Sequence, residues 1–274
     1  IHGAASCLDM GRLEEGEGHA RRILGLVQEG PVRTLAADTL AGILVASGQI
    51  APLGELLDAW EDEAPEVGIA IRFRRAQVAQ LDGDWNRARE RLLSCALELE
   101  GEDPPNPSAL GAVWEGMARV ARDQGEVEEA FSLLDRAWIA WERAGRESGC
   151  IRVAVERAMT AHGDSSHAFL PGGLDAAVSF CKERSLSLLE GRARLARGLS
   201  RWTVGTDGAI EDLSAAVFLG EQCGAPFLTG QARLERHQRD GGQGAGVLER
   251  ALAELQADSV LRARVWQALR AARE

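Results

Sequence analysis

The sequence predicts an all-α chain, built as a superhelical stack (a solenoid) of about seven helical hairpins and a closing helix. Apolar residues recur with the 3.6-residue period of amphipathic helices along nearly the whole chain. No stretch of 4–8 residues alternates, or gathers β-branched and aromatic residues, as a strand would. One hairpin unit also recurs from end to end.

The unit is clearest at residues 69–99, where a helix striped by Phe73, Ala76 and Ala79 stops at Asp82-Gly83-Asp84. A second helix then places Trp85, Ala88, Leu92 and Cys95 on one face. Residues 112–143 repeat the plan with Met117, Ala118 and Ala121, a break at Gln124-Gly125-Glu126, and then Val127, Ala130, Leu134 and Ala137. A small residue near the middle of each first helix carries the register: Ala4, Ala41, Ala76, Ala118, Ala158, Gly198 and Ala232, with Ala268 opening a last helix. Successive members lie 34–42 residues apart. A small side chain is needed there because adjacent helices approach closely only where no bulk intervenes. The second helices agree independently, since Ala130-x3-Leu134-x2-Ala137, Ala209-x3-Leu213-x2-Ala216 and Gly244-x3-Leu248-x2-Ala251 share one spacing.

Proline is disfavoured inside helices and tolerated in loops and first turns, so its placement tests this partition. Pro31, Pro65, Pro104, Pro105, Pro107 and Pro226 fall between hairpins, Pro171 falls in the loop of the fifth, and Pro52 opens a second helix. The longest loops are expected at 101–108 and 162–173. Residues 1–274 then form a single repeat domain. Beginning at Ile1, with no initiator methionine, the chain is expected to be a piece of a longer protein.

These hairpins resemble the tetratricopeptide-repeat superfamily, most closely at Gly83-Asp84-Trp85 with Ala88 and at Gly125-Glu126-Val127 with Ala130, which match its turn between helices. The W-x2-L-G-x2-Y signature of the first helix is absent, and several units run to 40 residues or more. Long, degenerate units of this kind resemble the superhelical sensor domain of large LuxR-type bacterial transcription activators. The resemblance implies a right-handed α-α superhelix that binds a protein or peptide. It alternatively implies a ligand-sensing domain whose DNA-reading part lies outside this chain.

Composition narrows the function classes. With 31 Lys+Arg against 42 Asp+Glu, the formal charge of -11 repels phosphate backbones, and no direct nucleic-acid binding is expected. No run approaches 18 apolar residues, which predicts no membrane span; Asp9, Glu14, Glu15 and Glu17 near the start read against a signal peptide, and with cysteines that suit a reducing compartment the chain is expected to be cytoplasmic. The five cysteines stand far apart without a C-x-x-C pair and read as small apolar residues. Lys182 is the only lysine and there is no tyrosine, a bias that fits a GC-rich bacterial genome.

Catalysis needs convergent nucleophiles, bases or metal ligands, and the sequence offers no P-loop, H-E-x-x-H or G-x-S-x-G. No enzyme activity and no cofactor are expected. The glycine cluster at 241–246 follows a helix and reads as a turn, and His162, Asp164 and His167 read as a loop that holds no metal.

The remaining surface is the concave one. Stacked hairpins curve with their first helices inward, and this face is the usual ligand surface of such folds. Projection selects Phe73, Arg74, Gln77 and Gln80, then Glu115, Arg119 and Arg122, then Arg152, Glu156, Met159 and His162. Further along it selects Arg192, Leu199 and Trp202, then Arg233 and Arg236. Arg74, Gln77, Arg119, Arg122, Arg152 and Trp202 are the expected binding residues, for an acidic protein or peptide or an anionic small molecule; the other reading of the arginines is that they pair with Asp and Glu on neighbouring helices. On these grounds Arg119 and Arg122 together should be replaceable by alanine without loss of folding.

Overall fold

A computed structural model of the chain describes residues 7, 8, 10–63, 68–161, 172–239, 245–255 and 260–273. Among these there are fourteen α-helices and no strands. In order they are α1 (Leu13–Leu26), α2 (Pro31–Ala46), α3 (Ile50–Glu63), α4 (Gly68–Leu81) and α5 (Trp85–Glu100). Next come α6 (Pro107–Asp123), α7 (Val127–Arg143), α8 (Glu147–Thr160), α9 (Gly173–Glu183) and α10 (Ser187–Thr203). The last are α11 (Ala209–Cys223), α12 (Pro226–Arg239), α13 (Ala245–Glu254) and α14 (Val260–Arg273). None is long and apolar enough to cross a membrane.

The breaks fall where the sequence predicts them. Gly83 and Gly125 take φ of 80° and 84°, a left-handed conformation that glycine adopts without a Cβ clash, and each ends a helix. The next amides, Asp84 and Glu126, donate back to the carbonyls of Ala79 and Ala121 at 2.8 and 2.9 Å, which satisfies the frayed helix end. Asp84 then caps α5 by accepting from the Arg87 amide, and Asn106 caps α6 by accepting from the Ala109 amide with Pro107 as the first helical residue.

Each helix packs on the next in sequence, and the even-numbered helices from α2 to α14 also pack each on the following even one. The even helices, the first helices of the expected hairpins, therefore form a continuous row. Its register residues are buried as expected: Ala41, Ala76, Ala158 and Ala232 have no exposed surface, Ala118 is also buried, and a Cβ on Gly198 would stand 3.0 Å from the Ala209 carbonyl oxygen. Ala268 is half-buried, and Ala4, Pro65, Pro171 and residues 240–244 of the glycine-rich turn lie outside the described residues.

The row of hairpins turns back on itself. Leu13 and Ile43 share one buried cluster with Leu195, Leu199, Leu213 and Leu228, so α1 and α2 pack with α10–α12 across more than 150 residues of chain. The turn at Gly48 meets Pro226, and the turn at Gly83 meets Val260. The arm ahead of α1 follows the same path, with Leu8 against Gly42 and Gly11 against Cys223 and the Leu188 backbone.

Candidate functional site

Four successive even helices contribute one wall each to a pocket of about 300 Å³. Helix α4 brings Phe73, Arg74 and Gln77, α6 brings Ala112, Glu115 and Arg119, α8 brings Ser148 and Arg152, and α10 brings Leu188, Leu189 and Arg192. Leu8 of the arm and Leu186 complete the lining. Of the six residues expected from the sequence, Arg74, Gln77, Arg119 and Arg152 are thus brought together around one space. Arg122 does not line it but is tied to the same charge cluster. Trp202, 44% exposed near the end of α10, stands outside the lining.

Two buried carboxylates organise these arginines. Glu115, only 3% exposed, accepts from Arg119 of its own helix at 3.3 Å and from Arg152 Nε of the next even helix at 3.2 Å. Glu156, 2% exposed, accepts from Arg122 at 2.7 Å and from Arg192, and lies 3.8 Å from Arg119. Each carboxylate joins two or three helices of the layer, and Asp123 holds Arg122 from the solvent side at 2.9 Å. Arg74 pairs with Asp38 of α2 at 2.8 Å and donates to Gln77 at 2.9 Å. The face of Arg152 stacks on Trp141, 4.8 Å from the ring centroid.

Burial pushes the Glu156 carboxyl up, but the guanidiniums of Arg192, Arg122 and Arg119 outweigh it and hold the group down at about 2. Glu156 is therefore ionised throughout the physiological range. Arg122 is lowered by burial yet ends above the ordinary arginine value because Glu156 and Asp123 flank it. For Arg192 the attraction of Glu156 is outweighed by burial and by the neighbouring Arg119 and Arg122, and its value is lowered.

The groove arginines pair with carboxylates of their own and neighbouring helices, as one reading of the sequence has it, and one expectation is corrected: the Arg119/Arg122 pair cannot be removed silently, because Glu156 would remain buried with Arg192 as its partner. Of the wider projection, Leu199 and Met159 pack into the cluster that holds Leu13 and Ile43. Arg233, 3% exposed, pins α12 between Glu221 of α11 and Glu254 of α13. The helical projection gave the direction of each side chain but not the element standing in front of it.

The lining residues left out of the projection are Leu8, Ala112, Ser148, Leu186, Leu188 and Leu189, together with the roles of Glu115, Glu156 and Arg192. A signal for the glutamates was present: Glu115 and Arg119, and Arg152 and Glu156, are i,i+4 pairs of opposite polarity on successive first helices.

A second charge cluster lies on another face of α10. Arg194, Arg197 and Arg201 converge on Asp212 of α11 at 3.4, 2.6 and 2.9 Å, and Arg197 and Arg201 also reach Asp175 of α9. Its carboxylate is shared out among three guanidiniums in a clamp of three helices.

Among the described residues no three His, Cys, Asp or Glu side chains gather as a metal site, and the loop with His162, Asp164 and His167 lies outside them. Burial pushes the thiols of Cys181 and Cys223 up to about 12 and about 11, as expected of cysteines used as small apolar side chains. Comparison with protein-family models and with curated protein sequences gives no match.

Proposed function

We propose that this chain is a binding module with no chemistry of its own, a right-handed superhelix of tetratricopeptide-like hairpins that engages its partner through the layer of even-numbered helices. The observation that carries the reading is the pocket on that layer. Its cationic wall is built from arginines whose stems are fixed by buried glutamates, which is how a surface is held ready for an anionic group. Its cationic groups suit binding, because arginine stays protonated at neutral pH and gives up no proton there. A partner meeting this wall presents an acidic or carboxylate-bearing group, whether on a protein, a peptide or a small molecule.

The small volume of the pocket, with Leu8 in its lining, favours a second form of the same reading: a ligand-sensing segment of a bacterial transcription activator. A site of about 300 Å³ suits one small molecule or one side chain better than an extended peptide.

Ala112 lines the pocket without bonding to the glutamates, so Ala112→Trp fills the space and leaves the charge network in place. Wild type and variant, recovered from the native host at equal folded protein, should differ in what they carry. The wild type should retain a partner, read as a protein band or as a small mass released on denaturation, and the variant should lose at least nine-tenths of it. Equal recovery by both would remove the pocket from the function.

A further inference from the structure

We propose that the pocket is the site of a small amphiphilic carboxylate, bound as a monoanion with its head between Arg119, Arg152 and Arg192 and its apolar body against Leu8, Leu188 and Leu189. This rests on the proposed binding role of the even-helix face and names the chemistry of its ligand.

The first observation is what the arginines leave uncommitted. Arg152 bonds Glu115 through Nε, Arg119 reaches Glu115 and Glu156 through Nη1, and Arg192 reaches Glu156 through Nη2. Among the described residues the other guanidinium nitrogens of these three side chains make no hydrogen bond, and none of them is sealed from solvent. Each guanidinium is thus pinned at one edge and offers the rest of its planar fork to the pocket that all three line. Bidentate bonding to a carboxylate is what such a fork does best.

The second observation is the charge of the cluster. Arg119, Arg122, Arg152 and Arg192 face the buried Glu115 and Glu156 and the flanking Asp123, four cations against three anions, while Arg74 is matched by Asp38. One positive charge is left over, in a chain whose formal charge is -11. A monoanion neutralises it, whereas a phosphate dianion brings one negative charge too many. A neutral ligand leaves the surplus unanswered.

The third is the apolar share of the lining. Leu8, Phe73, Leu186, Leu188 and Leu189 add apolar surface beside the arginines, and about 300 Å³ is at the small end of ligand cavities, which run from about 300 to 1,000 Å³. Cationic edge, apolar lining and limited volume together describe a carboxylate with one short chain or ring behind it.

The test uses the full chain and calorimetric titration with straight-chain carboxylates from butyrate to dodecanoate and with 4-phenylbutyrate, then octanamide and octyl phosphate as isosteres. Octanoate should bind at least tenfold more tightly than octanamide and more tightly than octyl phosphate. Arg152→Gln should weaken octanoate at least tenfold, and Arg194→Gln, in the Asp212 clamp, should leave it within twofold. If Arg152→Gln does not fold, Ala112→Trp replaces it and should abolish octanoate binding. Equal affinity for octanoate and octanamide overturns the proposal, as does tighter binding of octyl phosphate or the absence of binding by every carboxylate at millimolar concentration. If no carboxylate binds while Ala112→Trp still removes a partner captured from the host, the ligand class is wrong and the binding face stands. If both fail, the face is wrong as well.

Discussion

Gly149→Ala should lower the thermal midpoint, even though alanine is the better helix former. Gly149 of α8 and Gly111 of α6 hold the indole of Trp141 between them. A Cβ on Gly111 would stand 2.8 Å from the indole Cδ2, and one on Gly149 would come closer still to Trp141. Both positions are buried in helices, where glycine costs about 1 kcal/mol relative to alanine, so propensity alone favours the substitution. Contact at that distance forces the ring to move, and overpacking of this kind costs about 1–3 kcal/mol. The steric term wins. Gly18 of α1 and Gly54 of α3 are the internal controls, because a Cβ there meets nothing within 4 Å. Gly18→Ala and Gly54→Ala should each raise the midpoint slightly while Gly149→Ala lowers it, and a shared direction for all three would mean that Trp141 is not held by these glycines.

Glu156→Gln should be the most damaging single change to the site and should alter how stability depends on pH. The folded carboxyl sits at about 2 against an ordinary 4.5, so its contribution is fully present above about pH 4.5 and is lost as pH falls from there towards 2. A lowering of that size corresponds to about 3 kcal/mol at neutral pH, at 1.36 kcal/mol per unit. Glutamine keeps the shape but leaves Arg119, Arg122 and Arg192 crowded around a neutral group, and breaking a buried pair costs about 3–5 kcal/mol. Urea denaturation at pH 7 and pH 3 should show a gap between wild type and Glu156→Gln that is about 2 kcal/mol smaller at pH 3. A gap that does not change with pH would show that the glutamate is held by packing rather than by charge.

Local features were legible in the sequence. The turns at Gly83 and Gly125, the buried alanines at 41, 76, 118, 158 and 232, and the helix-starting prolines follow from period, propensity and backbone geometry over a few residues. So was the wall on which Arg74, Gln77, Arg119 and Arg152 converge, because a helical face keeps its direction. What stands in front of that wall was not. Leu8 and Gly11 reach the pocket region, and Leu13 reaches Leu195, through contacts between segments more than 150 residues apart, and no local pattern carries those. Nor does spacing say whether an arginine meets a ligand or a neighbour's glutamate, since both lie on the same side of the helix. Trp141 escaped notice for a similar reason: its slot is made by glycines on two other helices, one before it and one after.

Site-specific photocrosslinking in the native host reads out whether a partner meets the even-helix face. A short diazirine-bearing aliphatic side chain, similar in size to glutamine, placed at Gln77 lines the pocket without filling it, while the same group at Leu97, 63% exposed on α5, stands on an odd-numbered helix. Irradiation should attach a partner at Gln77, seen as a shift in mass of the intact chain, and leave Leu97 unmodified. Adducts at Leu97 with none at Gln77 would put the partner on the odd-numbered helices and remove the binding role from the even-helix face.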